Sequence, residues 1–163
     1  MIVVSDTTPI ISLLKIQQLE LLNMLFGGVL IPGAVYDELV SNPRFQDEAD
    51  IVMSSPYIKR VTVAGIESVR LLQRATGLDR GESEAIIYTD EAGADLLLMD
   101  EAKGRLVARQ MGIKVMGTLG ILLESYNKGI LTKEEIISCL DTMRITGRRI
   151  GEELYRQLME KLG

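Results

Sequence analysis

Acid, base or metal chemistry in this sequence must rest mainly on its carboxylates. Of its 163 residues none is histidine and one is cysteine, Cys139. Ser-His and Cys-His nucleophile systems are therefore excluded, as are the usual zinc ligand sets and any intramolecular disulfide. Two acids stand out because each follows a short apolar run: Asp6 after Ile2-Val3-Val4-Ser5, and Asp100 after Leu96-Leu97-Leu98-Met99. Such runs predict buried strands, and in open parallel sheets functional groups gather beyond the carboxyl ends of the strands, where strand order reverses. Either acid alone is equally well explained as a helix-start residue favoured by the dipole, but two at equivalent positions point to a site. Glu38 lies within two turns of the start of the helix that follows the second strand, where its side chain reaches the same edge. Taken alone, it also reads as an ordinary exposed helical glutamate. Asp79-Arg80-Gly81-Glu82 has the spacing of a capping box, which gives Glu82 a structural task at its helix start. Glu84 has no such task and is the preferred functional acid, with Glu82 open as an additional member.

Four carboxylates facing one another repel, each pair by roughly 3 kcal/mol at about 5 Å and an effective dielectric near 20. A divalent cation removes that penalty. Oxygen-only ligation suits Mg2+ or Mn2+, which keep several waters and leave positions for a phosphate oxygen. Such an ion lowers the pKa of its water and neutralises charge developing at phosphorus, which is nuclease chemistry in outline.

These positions demand an alternation of strands and helices. Residues 29–31 read as a second strand, 57–63 as a more exposed strand near an edge, and 96–99 and 114–116 as further strands. Thr8 is placed to cap a first helix with Pro9 at its first position, and 21–25 form a short helix stopped by Gly27-Gly28. Helices are predicted at about 34–40, 45–53, 66–75, 79–92, 101–111 and 118–128, separated by Asn42-Pro43, Ser55-Pro56, Gly77, Gly93 and Gly112. The alternation predicts a three-layer α/β/α sandwich around a central parallel sheet of about five strands. Thr132-Lys133-Glu134-Glu135 is another capping box, opening a helix to about Met143, and a last helix covers 152–162. Residues 130–163 are expected as a helical extension packed on a single domain spanning 1–163.

At 47% hydrophobic residues the chain is rich enough for one sizeable core. No apolar run approaches the roughly 20 residues that cross a bilayer. The apolar start, 1–4, has no basic region before it and an acid after it, so no signal peptide is expected and a cytoplasmic protein is. A net charge of −5 argues against nonspecific coating of nucleic acid. It leaves room for local phosphate contacts from Arg44, Lys103, Arg105 and Arg109. With two Phe, five Tyr and no Trp, no base-reading aromatic set is evident, so recognition rests on backbone shape.

Four segments in order, Val3-Val4-Ser5-Asp6-Thr7-Thr8-Pro9, Ile31-Pro32-Gly33-Ala34-Val35-Tyr36-Asp37-Glu38-Leu39, Gly81-Glu82-Ser83-Glu84-Ala85-Ile86 and Leu98-Met99-Asp100-Glu101-Ala102-Lys103-Gly104-Arg105, resemble PIN-domain proteins. Gly117-Thr118-Leu119-Gly120 is similar to the branch related to VapC-type toxins. The resemblance implies a five-stranded parallel sheet and metal-dependent hydrolysis of RNA phosphodiesters, leaving a 5′-phosphate and a 3′-hydroxyl. It also implies catalytic acids at Asp6, Glu38, Glu84 and Asp100, with Asp6, Glu84 and Asp100 on the metal. The third acid is Asp in many relatives, so a Glu there lengthens the reach. Ser5 or Thr7 matches the small polar residue near the first acid, Thr118 is placed to help position a water, and Glu82 and Arg105 stand as further site or substrate contacts. An RNA substrate, a small cognate antitoxin and a homodimer or higher oligomer are the implied partners.

The rival readings are weaker. An aspartate-nucleophile phosphatase needs a second Asp where Thr8 stands, and no Gly-rich phosphate loop is present. A PIN fold kept as an RNA-binding or interaction scaffold is the non-enzymatic alternative, against which the mutual repulsion of four acids argues.

Overall fold

Five short apolar runs become strands: β1 (Val3–Ser5), β2 (Val29–Pro32), β3 (Ile58–Val61), β4 (Leu96–Leu98) and β5 (Val115–Met116). The computed structural model describes residues 1–163, all but the side chain of Phe45. Every strand pairing is parallel, in the order β3-β2-β1-β4-β5. From β1 the chain steps outward through β2 and β3, then returns to place β4 and β5 on the other side. Strand order therefore reverses between β1 and β4, and the crevice opens at their carboxyl ends. Register fixes what meets there: Ser5 pairs with Leu98, and the Asp6 amide donates to Leu98 O at 2.9 Å.

The intervening helices are α1 (Thr7–Lys15), α2 (Leu21–Phe26), α3 (Gly33–Ser41), α4 (Gln46–Ser54), α5 (Ile66–Thr76), α6 (Arg80–Ala92), α7 (Ala102–Gln110) and α8 (Thr118–Asn127). Alternate strand residues serve opposite cores, as a sheet buried on both faces requires. Val3, Val29, Ile31, Leu96 and Leu98 pack with Ile10 and Leu13 of α1 and Ile121 and Leu122 of α8. Val4, Leu97 and Met99 pack with Ala85 and Ile86 of α6 and Ala108 of α7. Val69 of α5 meets Ile87 of α6 and Val63 in a smaller cluster. The result is the three-layer α/β/α arrangement predicted from the alternation. The last two helices, α9 (Lys133–Ile145) and α10 (Glu152–Lys161), join the first core through Ile136, Leu140, Met143, Leu158 and Leu162. Tyr126 Oη donates to Leu162 O at 3.1 Å and ties α8 to the end of α10. No described helix is long and apolar enough to cross a membrane.

Element ends follow local chemistry, with two departures from expectation. The first helix begins at Thr7 with Asp6, in extended conformation, at its N-cap, so Pro9 sits at the third helical position rather than the first. Amides of the first turn have no intrahelical partner, so proline is tolerated there too. Asn42-Pro43 does not only stop α3: its 42 side chain accepts from the Arg44 amide at 3.0 Å and starts a short 3-10 turn, Pro43–Phe45, ahead of α4. Both capping boxes form, Asp79 with Glu82 and Thr132 with Glu135. Helix ends leading back toward strands carry left-handed glycines, Gly27 at φ 73° and Gly93 at φ 58°. At that opposite edge the Ile2 amide donates to Asp95 Oδ2 at 2.6 Å and the Asp95 amide donates to Ile2 O at 2.8 Å.

Candidate active site

The acids at the carboxyl edge divide into two groups with different partners. In the first, β1 runs directly into α1 and leaves Asp6 at the junction, 4% exposed and making no capping bond. Burial pushes its pKa up to about 7; a hydrogen bond from the Thr7 backbone lowers it in part, and the charges of Glu82, Glu38 and Asp79 raise it further. Glu38 reaches this edge from α3. Thr7 Oγ1 donates to its Oε2 at 2.8 Å, and its Oε1 lies against Gly81, where any Cβ would collide with it. Its outer side stays exposed, yet the surrounding atoms still raise its pKa by desolvation, with the Thr7 bond opposing and Asp79 adding to the rise. Glu82 accepts from the Asp79 amide at 3.3 Å to close the capping box. Desolvation, then the charge of Asp79, pushes its pKa to about 7, with Glu101 contributing from the neighbouring helix start. Among the described residues no arginine forms an ion pair with Asp6, Glu38 or Glu82.

Asp100 has a different setting. Its Oδ1 accepts from the Thr118 amide at 2.7 Å and its Oδ2 from Thr118 Oγ1 at 2.6 Å, so the start of α8 orients the carboxylate. Arg148 Nη2, from the turn before α10, stands 3.1 Å from Oδ1, and Arg148 Nη1 donates to Ser12 of α1. Arg105 Nη1 donates to Met99 O at 3.1 Å, and it shares with Asp100 Oδ1 the space that a Cβ on Gly117 would fill. Glu84 is buried and has partners of its own. Its Oε1 accepts from the Ala34 amide at the start of α3 at 3.0 Å, and its Oε2 accepts from Arg80 Nε at 2.9 Å. The first bond ties α6 to α3; the second is an i,i+4 pair within α6.

A family model described as a PIN domain matches residues 2–163. The chain belongs to the PIN-domain family. No curated protein matches it. PIN domains are generally nucleases, hydrolases that use divalent metals.

In this PIN domain the premise that Glu84 lacks a structural task does not hold. It has two partners of its own, while Glu82 keeps its capping bond and still faces the charges of the site. A local pattern shows which residues share a helix face, not which neighbouring helix that face meets. Ser5 Oγ is buried and donates to Asp6 O at 2.9 Å, Thr7 holds Glu38, and Thr118 holds Asp100, so each supports an acid. Two groups near the site had no functional signal in the sequence: Asp79, seen only as a cap, and Arg148, in a turn far along the chain. Lys103 Nζ lies near Gly77, and Arg109 adds its charge to Arg105.

The donor set fits a hard divalent cation. Asp6, Glu38 and Glu82 are oxygen donors whose ionised forms are penalised where they stand, which is the condition a bound cation relieves. Among the described residues no three acids already stand at the spacing of a formed cation site. The Oδ1 of Asp100 is engaged by Arg148, so to join a shared cation this acid would have to exchange that partner.

Proposed function

We propose that this PIN domain is a divalent-metal-dependent endoribonuclease, with Mg2+ or Mn2+ as its ion. The observation that carries the reading is the gathering of Asp6, Glu38 and Glu82 at the β1/β4 reversal without an arginine partner, beside Asp100. Asp6, Glu82 and Asp100 are the acids we assign to the metal, and Glu38 completes the catalytic set. Glu84, through its bond from the Ala34 amide, supports the site by holding α3 against α6. When bound, the metal supplies a polarised water for in-line attack on phosphorus and neutralises charge on the phosphate. Glu38 is fixed through Oε2 by Thr7 and open on its outer side, which suits it to accept a proton from solvent. Asp6 and Glu82, with pKa values pushed up to about 7, would give up their protons in order to hold the cation.

The resemblance to VapC-type toxins supports extending the reading to a toxin that acts on RNA in the cytoplasm, pairs with a small cognate antitoxin and forms a homodimer. Co-expression with the product of a neighbouring small reading frame tests the pairing. Cleavage itself is tested with labelled RNA and Mn2+: the wild type cuts, Asp6→Asn does not, and equal cutting by both sinks the assignment. One observation favours a non-catalytic scaffold instead, namely that Arg148 and Arg80 already engage Asp100 and Glu84. A scaffold would leave RNA intact at every metal concentration.

A further inference from the structure

A cleft of about 630 Å3 runs from Asp100 between the β5–α8 edge and α10, within the range of about 300–1,000 Å3 that ligand sites span. Its walls carry Arg105, Arg148, Arg149 and Lys161 against a single carboxylate, Asp100. Its floor is aliphatic, with Met116, Leu119 and Leu158 and no aromatic ring. On the other side of the site a cleft of about 650 Å3 beside Glu38 is balanced, with Arg60, Arg70 and Arg80 facing Asp37, Glu38 and Glu84. Those cations are also committed: Arg60 to the Tyr36 ring, Arg70 to Glu67 and Arg80 to Glu84. In the first cleft Arg149 and Lys161 are exposed and have no hydrogen-bond or ion-pair partner among the described residues, while Arg148 pairs with Asp100 and Arg105 donates to Met99 O. In a chain of net charge −5 this excess of cations favours an anion in the first cleft over the second.

We propose that this cleft is a polynucleotide subsite, in which the backbone leading away from the scissile bond lies against Arg149 and Lys161. The proposal rests on the nuclease reading above and adds the path of the strand. Aliphatic floor residues accept any base edge without reading it, so binding here is independent of sequence. The cation excess on one side and the acid cluster on the other place phosphates on the Asp100 side.

The test is binding of a short fluorescein-labelled single-stranded RNA in EDTA, followed by anisotropy across a salt series, so that no cutting intervenes. Arg149→Gln and Lys161→Gln should each weaken binding several-fold and reduce the slope of log affinity against log salt by about 0.7. Lys114→Gln, at the opposite end of β5, removes the same charge and should change neither. No binding by the wild type, or unchanged affinity and slope in both cleft variants, overturns the subsite. An equal loss with Lys114→Gln shows a bulk charge effect and overturns it as well. Cleavage by the wild type in Mn2+, measured separately, decides the nuclease reading on its own.

Discussion

Asp6 is a carboxylate held where its proton is favoured, and that has a measurable sign. Its pKa in the folded chain is about 7 against an ordinary value of 3.8. Between those values the folded chain binds the proton more tightly than the unfolded one, so this group's contribution to stability is fullest below about pH 4. It falls as pH rises and is lost above about pH 7, a change of roughly 4 kcal/mol. In EDTA, Asp6→Asn should melt close to the wild type near pH 4 and well above it near pH 8, and parallel melting curves would refute the burial argument. Adding Mg2+ or Mn2+ near pH 8 should raise the wild-type melting temperature and leave that of Asp6→Asn unchanged. Asp6 and Asp100 were legible in the sequence because an acid after an apolar run marks a strand end without knowledge of any neighbour. Glu82 and Glu84 were not separable that way, since both lie on α6 and only its packing against α3 shows that Glu84 is held by the Ala34 amide. Arg148 reaches Asp100 and Ser12 across most of the chain, a contact no local pattern encodes.

Among elements, the start of α6 is where architecture and chemistry compete. Gly81 is helical with ordinary backbone angles, so alanine there should favour the helix by about 0.5–1 kcal/mol. Its Cβ, however, would occupy the space of Glu38 Oε1, the end of a flexible side chain that can swing away. Gly81→Ala is therefore expected to melt at or slightly above the wild-type temperature while losing most RNA cleavage, as read by thermal denaturation and a single-turnover assay. Retained cleavage would mean that Glu38 does its work from another position. Strand and helix identities were readable because strands buried on both faces are continuous apolar runs and the capping boxes have fixed spacing. The exact start of α1 was not, because Asp6, Thr7 and Thr8 are all plausible caps and only the sheet register selects Asp6.

For the molecule as a whole, the C-terminal helices share a core with the sheet rather than sitting on it as a separate layer. Leu158 and Leu162 belong to the same cluster as Ile10, Leu13 and Ile121. Leu158→Ala should cost about 2–5 kcal/mol and lower the midpoint of one cooperative transition. A separate low-temperature transition for α10 in calorimetry would contradict the shared core. The sheet order also segregates tasks: the β1–α1 and β4–α7 junctions carry Asp6 and Asp100, and the junctions into β2, β4 and β5 carry left-handed Gly27, Gly93 and Gly112 at the other rim. Met1 lies at that other rim, 80% exposed and next to the Ile2–Asp95 pairing. A surface, dye or affinity handle attached through Met1 would leave the acid-bearing rim facing solution, and an immobilised form of this protein should meet its substrate unhindered.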